Sequence, residues 1–319
     1  MDMGHEENNN IQSMIEKERR KFEKESKKEE INKKNNDNIS ARLNEKLSEM
    51  LDRLSKLMQK KGDNMRSRIY SRAQDTVLSE PGDITDITQM KGKPHIGPTI
   101  LSKMDEYIKT GTLSVFEKEK DNPLTWMTDI HGIGPKKATE LIEKGIHSID
   151  DLREKQEDLL NNTQKIGLKY YEDTIKRIPR TEIDEYKKMF DKEFKKIAES
   201  DSQYEIVGSY RRGAKTSGDI DVIITSQNPY IFKNFVDSMK DSGIILEILS
   251  YGNTKCLVIA KLKDSEIARR VDFMYTPSDE YAFAILYFTG SKAFNTVMRG
   301  HALKMGISLN EHGVYKKEV

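Results

Sequence analysis

The sequence predicts an α+β chain with an all-helical front and a sheet-bearing back. Three observations carry this expectation. Apolar residues recur at helical spacing from Ile39 to about Lys120. Two short Gly-containing turns are each followed by an amphipathic helical pattern. Beyond about Tyr204 the period shortens to that of β-strands. A length of 319 residues further implies two or three domains.

Residues 1–40 are Asn, Lys and Glu without apolar periodicity, the composition of a disordered or partly helical solvated tail. Its lysines are read as solubilising rather than as an arm that contacts nucleic acid. Leu43, Leu47, Met50, Leu51, Leu54 and Leu57 then form a core-facing helical stripe, and Pro81-Gly82 ends the next helix. The two turns are His95-Ile96-Gly97-Pro98-Thr99 and His131-Gly132-Ile133-Gly134-Pro135-Lys136-Lys137. Helix continues over 119–180, to near Pro179. The segments Tyr204–Gly208, Asp219–Thr225, Cys256–Ala260 and Arg270–Met274 read as strands of one sheet, with a helix from Tyr230 to Met239 between them.

Charged residues make up 34% of the chain, yet the net charge is +1, so any nucleic-acid footprint requires local segregation of charge. The single cysteine, Cys256, excludes an internal disulfide framework and a Cys-based zinc site. It lies in the apolar run Lys255–Ala260 and reads as an inert buried residue. No apolar stretch reaches the ~18–20 residues of a membrane span. These features point to a soluble intracellular protein, in a nucleus or a viral replication compartment.

Three constellations carry chemistry. In a strand, residues i and i+2 share a face, so Asp219 and Asp221 project together while Ile220 and Val222 face away. Two adjacent carboxylates ionise together only beside a cation, and a hard divalent metal is the natural one. Asp272 completes such a site if its strand lies next door. Asp-x-Asp by itself also describes a strand end with solvated acids. Gly208-Ser209, Arg212, Ser217-Gly218 and the third acid decide for the metal, with the Gly208-Ser209 turn offering N–H groups to phosphate oxygens.

The second constellation is the pair of turns. A Gly-x-Gly hairpin brings backbone amides close to a DNA phosphate and reads no base. His131-Gly132-Ile133-Gly134, backed by Lys136 and Lys137, fits well, whereas His95-Ile96-Gly97 lacks the first glycine. An ordinary helix–helix turn is the alternative for either one. The third constellation is Leu286-Tyr287-Phe288-Thr289-Gly290-Ser291, followed by Asn295 and Arg299 on one helix face. It suits a sugar-and-base pocket, and equally a pair of core aromatics.

From about Met65 to Asn310 the chain resembles the X family of DNA polymerases, of the DNA polymerase beta type. Ile166-Gly167-Leu168-Lys169-Tyr170-Tyr171 and Arg177-Ile178-Pro179-Arg180 resemble that family's linker into the palm. The resemblance implies a lyase domain (41–118), a thumb-like helix-hairpin-helix subdomain (119–180), a nucleotidyltransferase palm (181–287) and a small nail, or fingers, subdomain (288–319). The sequence stops at Val319, before the last helix that the family's nail has, so the resemblance implies a nail that is incomplete or truncated. It implies a template-dependent polymerase that fills short gaps in base excision repair, with 5′-deoxyribose-phosphate lyase activity.

By that resemblance Asp219, Asp221 and Asp272 hold two Mg²⁺ ions, for which Mn²⁺ can substitute, and Asp272 takes the 3′-hydroxyl proton. Ser209, Arg212 and Gly218 hold the triphosphate. Tyr287 and Phe288 form the sugar gate, Gly290 the turn beneath it, and Asn295 the minor-groove contact. Arg299 touches the template and Arg270 the primer backbone. Lys103 aligns with the Schiff-base lysine, and Arg66, Tyr70 and Lys91 with the 5′-phosphate pocket. A monovalent cation, Na⁺ or K⁺, binds carbonyls around Lys91, Lys93 and Ile96, and another around Thr128, Ile130 and Ile133, beside Gly132 and Gly134.

The implied partners are gapped or nicked DNA, dNTPs and, for a monomer, DNA ligase and other repair proteins. Four positions depart from the pattern. Thr99 replaces a lysine of the lyase pocket, His95 a hairpin glycine, Met274 an arginine that pairs with an active-site Asp, and Lys292 an acid beside the nascent base pair. A template-independent or end-joining polymerase is the alternative; the want of a BRCT-like segment and the Tyr287-Phe288 gate speak against it. A DNA-end binder that uses the hairpins alone leaves the acids unexplained.

Overall fold

The apolar stripe beginning at Leu43 becomes the inner face of helix α1 (Asn44–Lys60), on which Leu47, Met50 and Leu51 are wholly buried. The computed structural model describes residues 43–316; the tail over residues 1–40 lies outside them. Helix α2 (Asn64–Leu78) packs along α1, its N-terminus capped by Asp63, whose carboxylate accepts from Arg66 N–H at 2.9 Å. With α3 (Pro98–Thr110) these helices enclose a first core that includes Met90, Ile96 and Met104.

The two Gly-containing turns have the same backbone path. Ile96 N–H donates to Lys93 O at 3.1 Å, and Ile133 N–H donates to Ile130 O at 3.0 Å. Each turn delivers a glycine N-cap and a proline at the start of a helix: Gly97 before α3, and Gly134 before α4 (Pro135–Glu143). Gly132 has φ 84°, and His95 stands at the matching position with φ 62°. The first hairpin therefore keeps its shape without the expected glycine, at the cost of holding an L-residue in the left-handed region. Helix α5 (Asn162–Lys169) packs behind the second hairpin, and Gln164 Nε2 donates to Gly132 O at 2.9 Å.

The sheet-bearing part begins at the short strand β1 (Ile178–Pro179), followed by α6 (Arg180–Phe194), β2 (Gln203–Ile206), β3 (Thr216–Ser217), β4 (Ile220–Thr225), α7 (Tyr230–Asp241), β5 (Ile245–Tyr251), β6 (Lys255–Ala260) and β7 (Arg269–Tyr275). Its main sheet has the order β2-β4-β7-β6-β5, in which the β4–β7 pair is parallel. All four strands read from sequence lie in it. The fifth, β5, is an edge strand with two register irregularities against β6. Helices α6 and α7 cover one face, where Ile220, Val222, Val271 and Phe273 join Phe190 and Phe235 in the largest core. The opposite face carries a small cluster of Val207, Ile223, Met274 and Ala284 under α8 (Tyr281–Thr289). Helix α9 (Lys292–Lys304) and the hairpin of β8 (Ile307–Leu309) with β9 (Val314–Lys316) complete the described chain.

Two substitutions test the hairpins. A Cβ on Gly132 would lie 3.1 Å from Gln164 Cγ as well as at positive φ. Gly132→Ala is expected to lower unfolding stability by about 1–3 kcal/mol, whereas His95→Gly raises it by up to about 1 kcal/mol. Thermal unfolding of the two variants against the parent checks both signs.

Candidate active site

The alternation along β4 sends Ile220 and Val222 into the large core and leaves Asp221 half-buried on the other face, beside Ile223. In the parallel ladder Asp221 lies directly opposite Asp272. A residue of one strand and its register partner point to the same side of the sheet, so the two carboxylates share a face with Asp219, one position ahead of β4. The adjacency that sequence spacing leaves open is thereby present.

The turn after β2 closes over these acids. Gly208 has φ 61°, and a Cβ built there would stand 2.5 Å from Asp221 Oδ2. Only glycine lets the Gly208-Ser209 turn lie against the carboxylate. Ser209 Oγ donates to Ser217 Oγ at 2.7 Å, which pins the turn to β3.

Electrostatics in this arrangement are unfavourable without a cation. Burial, together with the charges of Asp219 and Asp272, pushes the Asp221 carboxyl up to about 7. Burial raises Asp272 too, against the opposing pull of Arg270 and Lys255. The Arg270 guanidinium pairs with Asp219, and its Nε lies 3.3 Å from Asp272 Oδ1. Those last two atoms are misaligned, so both are buried without a hydrogen bond. Lys255 Nζ stands 3.7 Å from Asp272 Oδ2. Among the described residues no three such side chains form a ready coordination shell, with Asp219 turned to Arg270. The donor set nonetheless fits a hard dication: all ligands are carboxylate oxygens, and Asp272 Oδ1 is a buried acceptor lacking a partner.

A cleft of about 700 Å³ opens between the palm and the C-terminal subdomain. Ser209, Arg212, Gly218, Asp219 and Asp221 line one wall, and Tyr287, Phe288, Gly290, Asn295 and Arg299 the other. These predicted residues are brought together at one cleft, which Asp272 and Arg270 do not line. Tyr287 and Phe288 meet edge to face at 5.2 Å between centroids. Asn295 Nδ2 donates to Tyr287 O at 2.7 Å, leaving its buried Oδ1 unpaired. Arg212 donates to Thr289 O at 2.7 Å, bridging the two walls.

A second cleft of about 770 Å³ separates the hairpin subdomain from the palm. Thr128, Ile130, Gly132, Ile133 and Gly134 line it from one side and Arg270 from the other, so it joins the second hairpin to the arginine that pairs with Asp219. Met274 is buried in the small cluster under α8. Cys256 is fully buried, and burial with the nearby Asp272 charge pushes its thiol up to about 12.

The front domain holds the remaining candidates. Tyr70 is buried on α2, Lys103 is half-buried on α3, and Arg66 and Lys91 are exposed. Arg66 pairs with Asp63 at 2.6 Å, and Lys93 with Glu80 at 2.8 Å. Lys292 reaches this domain rather than only the cleft.

Arg177 is a further cleft residue, outside the three constellations. The β1–β3 pairing carries it over Gly218, where a Cβ would stand 3.3 Å from its Nη1, and it donates to Thr216 O at 2.7 Å. Its signal in sequence was only the Arg177-Ile178-Pro179-Arg180 run.

Four family models match in succession: a helix-hairpin-helix domain over 42–113, the fingers domain of DNA polymerase lambda over 126–174, the DNA polymerase beta palm over 177–278 and the DNA polymerase beta thumb over 284–319. The chain belongs to the X family of DNA polymerases. In these models the hairpin subdomain is termed fingers and the C-terminal piece thumb, the reverse of the naming used above for the same segments. A DNA polymerase lambda of Arabidopsis thaliana is 30% identical over 293 residues, covering 86% of this chain and 54% of that protein. One of Rattus norvegicus is 30% identical over 286 residues, covering 84% and 48%. A DNA nucleotidylexotransferase of Xenopus laevis is 25% identical over 296 residues, covering 79% and 58%. The chain spans about half the length of the curated relatives it matches.

The raised Asp221 carboxyl makes a signed prediction. A carboxyl whose folded pKa exceeds its unfolded value of 3.8 keeps its proton in the fold while the open chain has lost it. Stability therefore falls as pH rises from about 4 to about 7, and stays lower above that. In chelator-containing buffer Asp221→Asn is expected to remove that fall, raising stability at pH 8 by on the order of 2–4 kcal/mol relative to the parent. Denaturant unfolding of both proteins at pH 5 and pH 8 measures it.

Proposed function

We propose that this X-family chain is a template-directed DNA polymerase that fills short gaps in base excision repair and also removes 5′-deoxyribose phosphate. The observation that carries the reading is the register of Asp221 against Asp272 beneath the Gly208-Ser209 turn, with the Tyr287-Phe288 wall opposite.

Asp219 and Asp221 would hold two Mg²⁺ ions (or Mn²⁺) together with Asp272. When bound, the metals lower the pKa of the primer 3′-hydroxyl and neutralise the departing pyrophosphate. The chain's residues do the rest. Asp272 accepts the 3′-hydroxyl proton at a carboxylate whose affinity for it burial has raised. Ser209, Arg212, Gly218 and Arg177 receive the triphosphate oxygens, Arg212 leaving Thr289 O to do so. Tyr287 and Phe288 bound the sugar, Asn295 offers an amide to the minor-groove edge of the new base, and Arg299 meets the template. For these groups to act, Arg270 turns from the carboxylates to the primer backbone across the second cleft.

The hairpins would seat the two DNA arms through backbone N–H groups, with a monovalent cation at the carbonyls of Lys91, Lys93 and Ile96 and another at Thr128, Ile130 and Ile133. In the front domain Lys103 Nζ would attack the C1′ aldehyde of a 5′-deoxyribose phosphate, losing water to give an imine. Abstraction of a C2′ proton then expels the phosphate at C3′. Arg66, Tyr70 and Lys91 would hold the terminal 5′-phosphate. These roles place the protein on gapped or nicked DNA as a monomer, alongside a ligase, in the nucleus or a viral replication compartment.

The similarity to a Xenopus laevis nucleotidylexotransferase favours template-independent extension as a second reading. A single-stranded primer decides between them: extension only opposite a template base supports gap filling, and tailing without one supports the second.

Asp272→Ala is expected to cut Mg²⁺-dependent insertion on a one-nucleotide gap by at least about a thousandfold, with gap binding retained. Undiminished insertion would place the chemistry elsewhere. Borohydride trapping on a 5′-deoxyribose-phosphate end should disappear in Lys103→Ala, and equal trapping would move the nucleophile to another lysine.

A further inference from the structure

The described chain returns to its start. Lys60 Nζ pairs with Asp129 at 2.6 Å, tying the front domain to the hairpin subdomain, and Lys292 ties the C-terminal subdomain back to the front domain. Lys292 opens α9 and lines the cleft between palm and C-terminal subdomain. Its ammonium nevertheless points away, donating to Asp52 Oδ1 at 3.0 Å and to Gln74 Oε1 at 2.9 Å.

These acceptors form a built socket. Gln74 is 4% exposed, and its amide nitrogen donates to Ser48 O and Ser48 Oγ, both at 3.2 Å. Those bonds fix the amide and leave Oε1 facing outward. Asp52, one turn along α1 from Ser48, is held by Lys56 at 2.6 Å and presents its other oxygen to Lys292. A carboxylate and a carbonyl oxygen are thus in place for an ammonium group from another subdomain.

We propose that Asp52 and Gln74 are positioning residues for the nucleotide cleft: by holding Lys292, they make nucleotide binding and closure of the chain upon itself compete for one ammonium group. This rests on reading the cleft as the nucleotide site. A four-carbon stem lets Lys292 serve either place, and a polyanionic nucleotide is the stronger claimant on it. Coupling between two such demands is reciprocal: a weaker socket tightens nucleotide binding, and bound nucleotide loosens the contact between first and last subdomains. Because the pair is partly solvated, the effect is modest, about threefold.

The test uses the full chain on a one-nucleotide gap, with the complementary dNTP as probe. Asp52→Asn preserves shape and replaces no residue that lines the cleft. Lys56→Gln removes the other partner of Asp52 and leaves the socket. Cysteines introduced at the exposed Glu49 and Lys304 carry a fluorescent distance pair. Asp52→Asn is expected to lower the KM for dNTP about threefold at unchanged kcat, with Lys56→Gln at the parental value. The label distance should lengthen when dNTP binds the parent, and be long already in Asp52→Asn. An unchanged KM in Asp52→Asn, or an equal fall in Lys56→Gln, overturns the proposal. So does a label distance that is the same in the parent and in Asp52→Asn without nucleotide, a measurement that reads the contact even if the parent inserts nothing. Absence of insertion by the parent counts against the polymerase reading instead.

Discussion

Like charge held at strand spacing is the constraint on which the rest of the palm depends. Asp221 and Asp272 are register partners in a parallel ladder, and Asp219 sits two residues before Asp221 on the same face. Neighbouring strands run only about 5 Å apart, so these acids cannot separate without breaking the sheet. Hydrophobic burial on the opposite face, with Phe273, Val222 and Ile220 fully enclosed, holds the ladder in register against that repulsion. The structure answers it in two ways, by the Arg270 guanidinium against Asp219 and by the raised proton affinity of Asp221. Either answer is reversible, which suits the metal site proposed for these acids.

The same two-faced sheet explains where the other groups lie. One face is committed to the apolar core under α6 and α7. The other is only partly covered, by the small cluster beneath α8, and Asp219 and Asp221 line the cleft toward the C-terminal subdomain. The buried Arg269, one residue before Arg270, donates to both oxygens of Glu182 at 2.7 Å and to Lys176 O at 3.1 Å. Alternation along β7 therefore uses one arginine to lock the linker from the hairpin subdomain onto the palm, and exposes the next to the acids.

What the sequence makes legible is local. The α1 stripe, the two hairpins and the shared face of Asp219 and Asp221 each follow from a period or a turn signature within a few residues. Strand pairing does not, because β4 and β7 are joined through a helix and two further strands; the place of Asp272 came from family resemblance. Strand β5 leaves no such signature, because a bulged edge strand with Glu247 and Ser250 lacks clean alternation. Lys292 could be aligned beside the cleft, but spacing cannot show that its flexible stem reaches Asp52, 240 positions earlier. Nor does spacing reveal that His95 takes up the φ of the glycine it replaces.

A near-neutral chain that handles a polyanion must carry its own counter-anions, and the structure shows where they are. Arg66 is paired with Asp63, Lys93 with Glu80, Arg270 with Asp219 and Lys292 with Asp52, while Arg212 is spent on a backbone carbonyl. A cation that leaves an aspartate for a phosphate gains one partner and gives up another, so its net contribution to DNA affinity is a difference rather than a sum. The N-termini of α3 and α4 carry no side-chain cap, so contacts made by backbone N–H groups there displace no carboxylate. In the proposed role, sequence-independent grip on DNA would fall mainly to the hairpins, and the paired side chains would act as switches, engaging phosphate only where DNA or nucleotide outcompetes a carboxylate already in place.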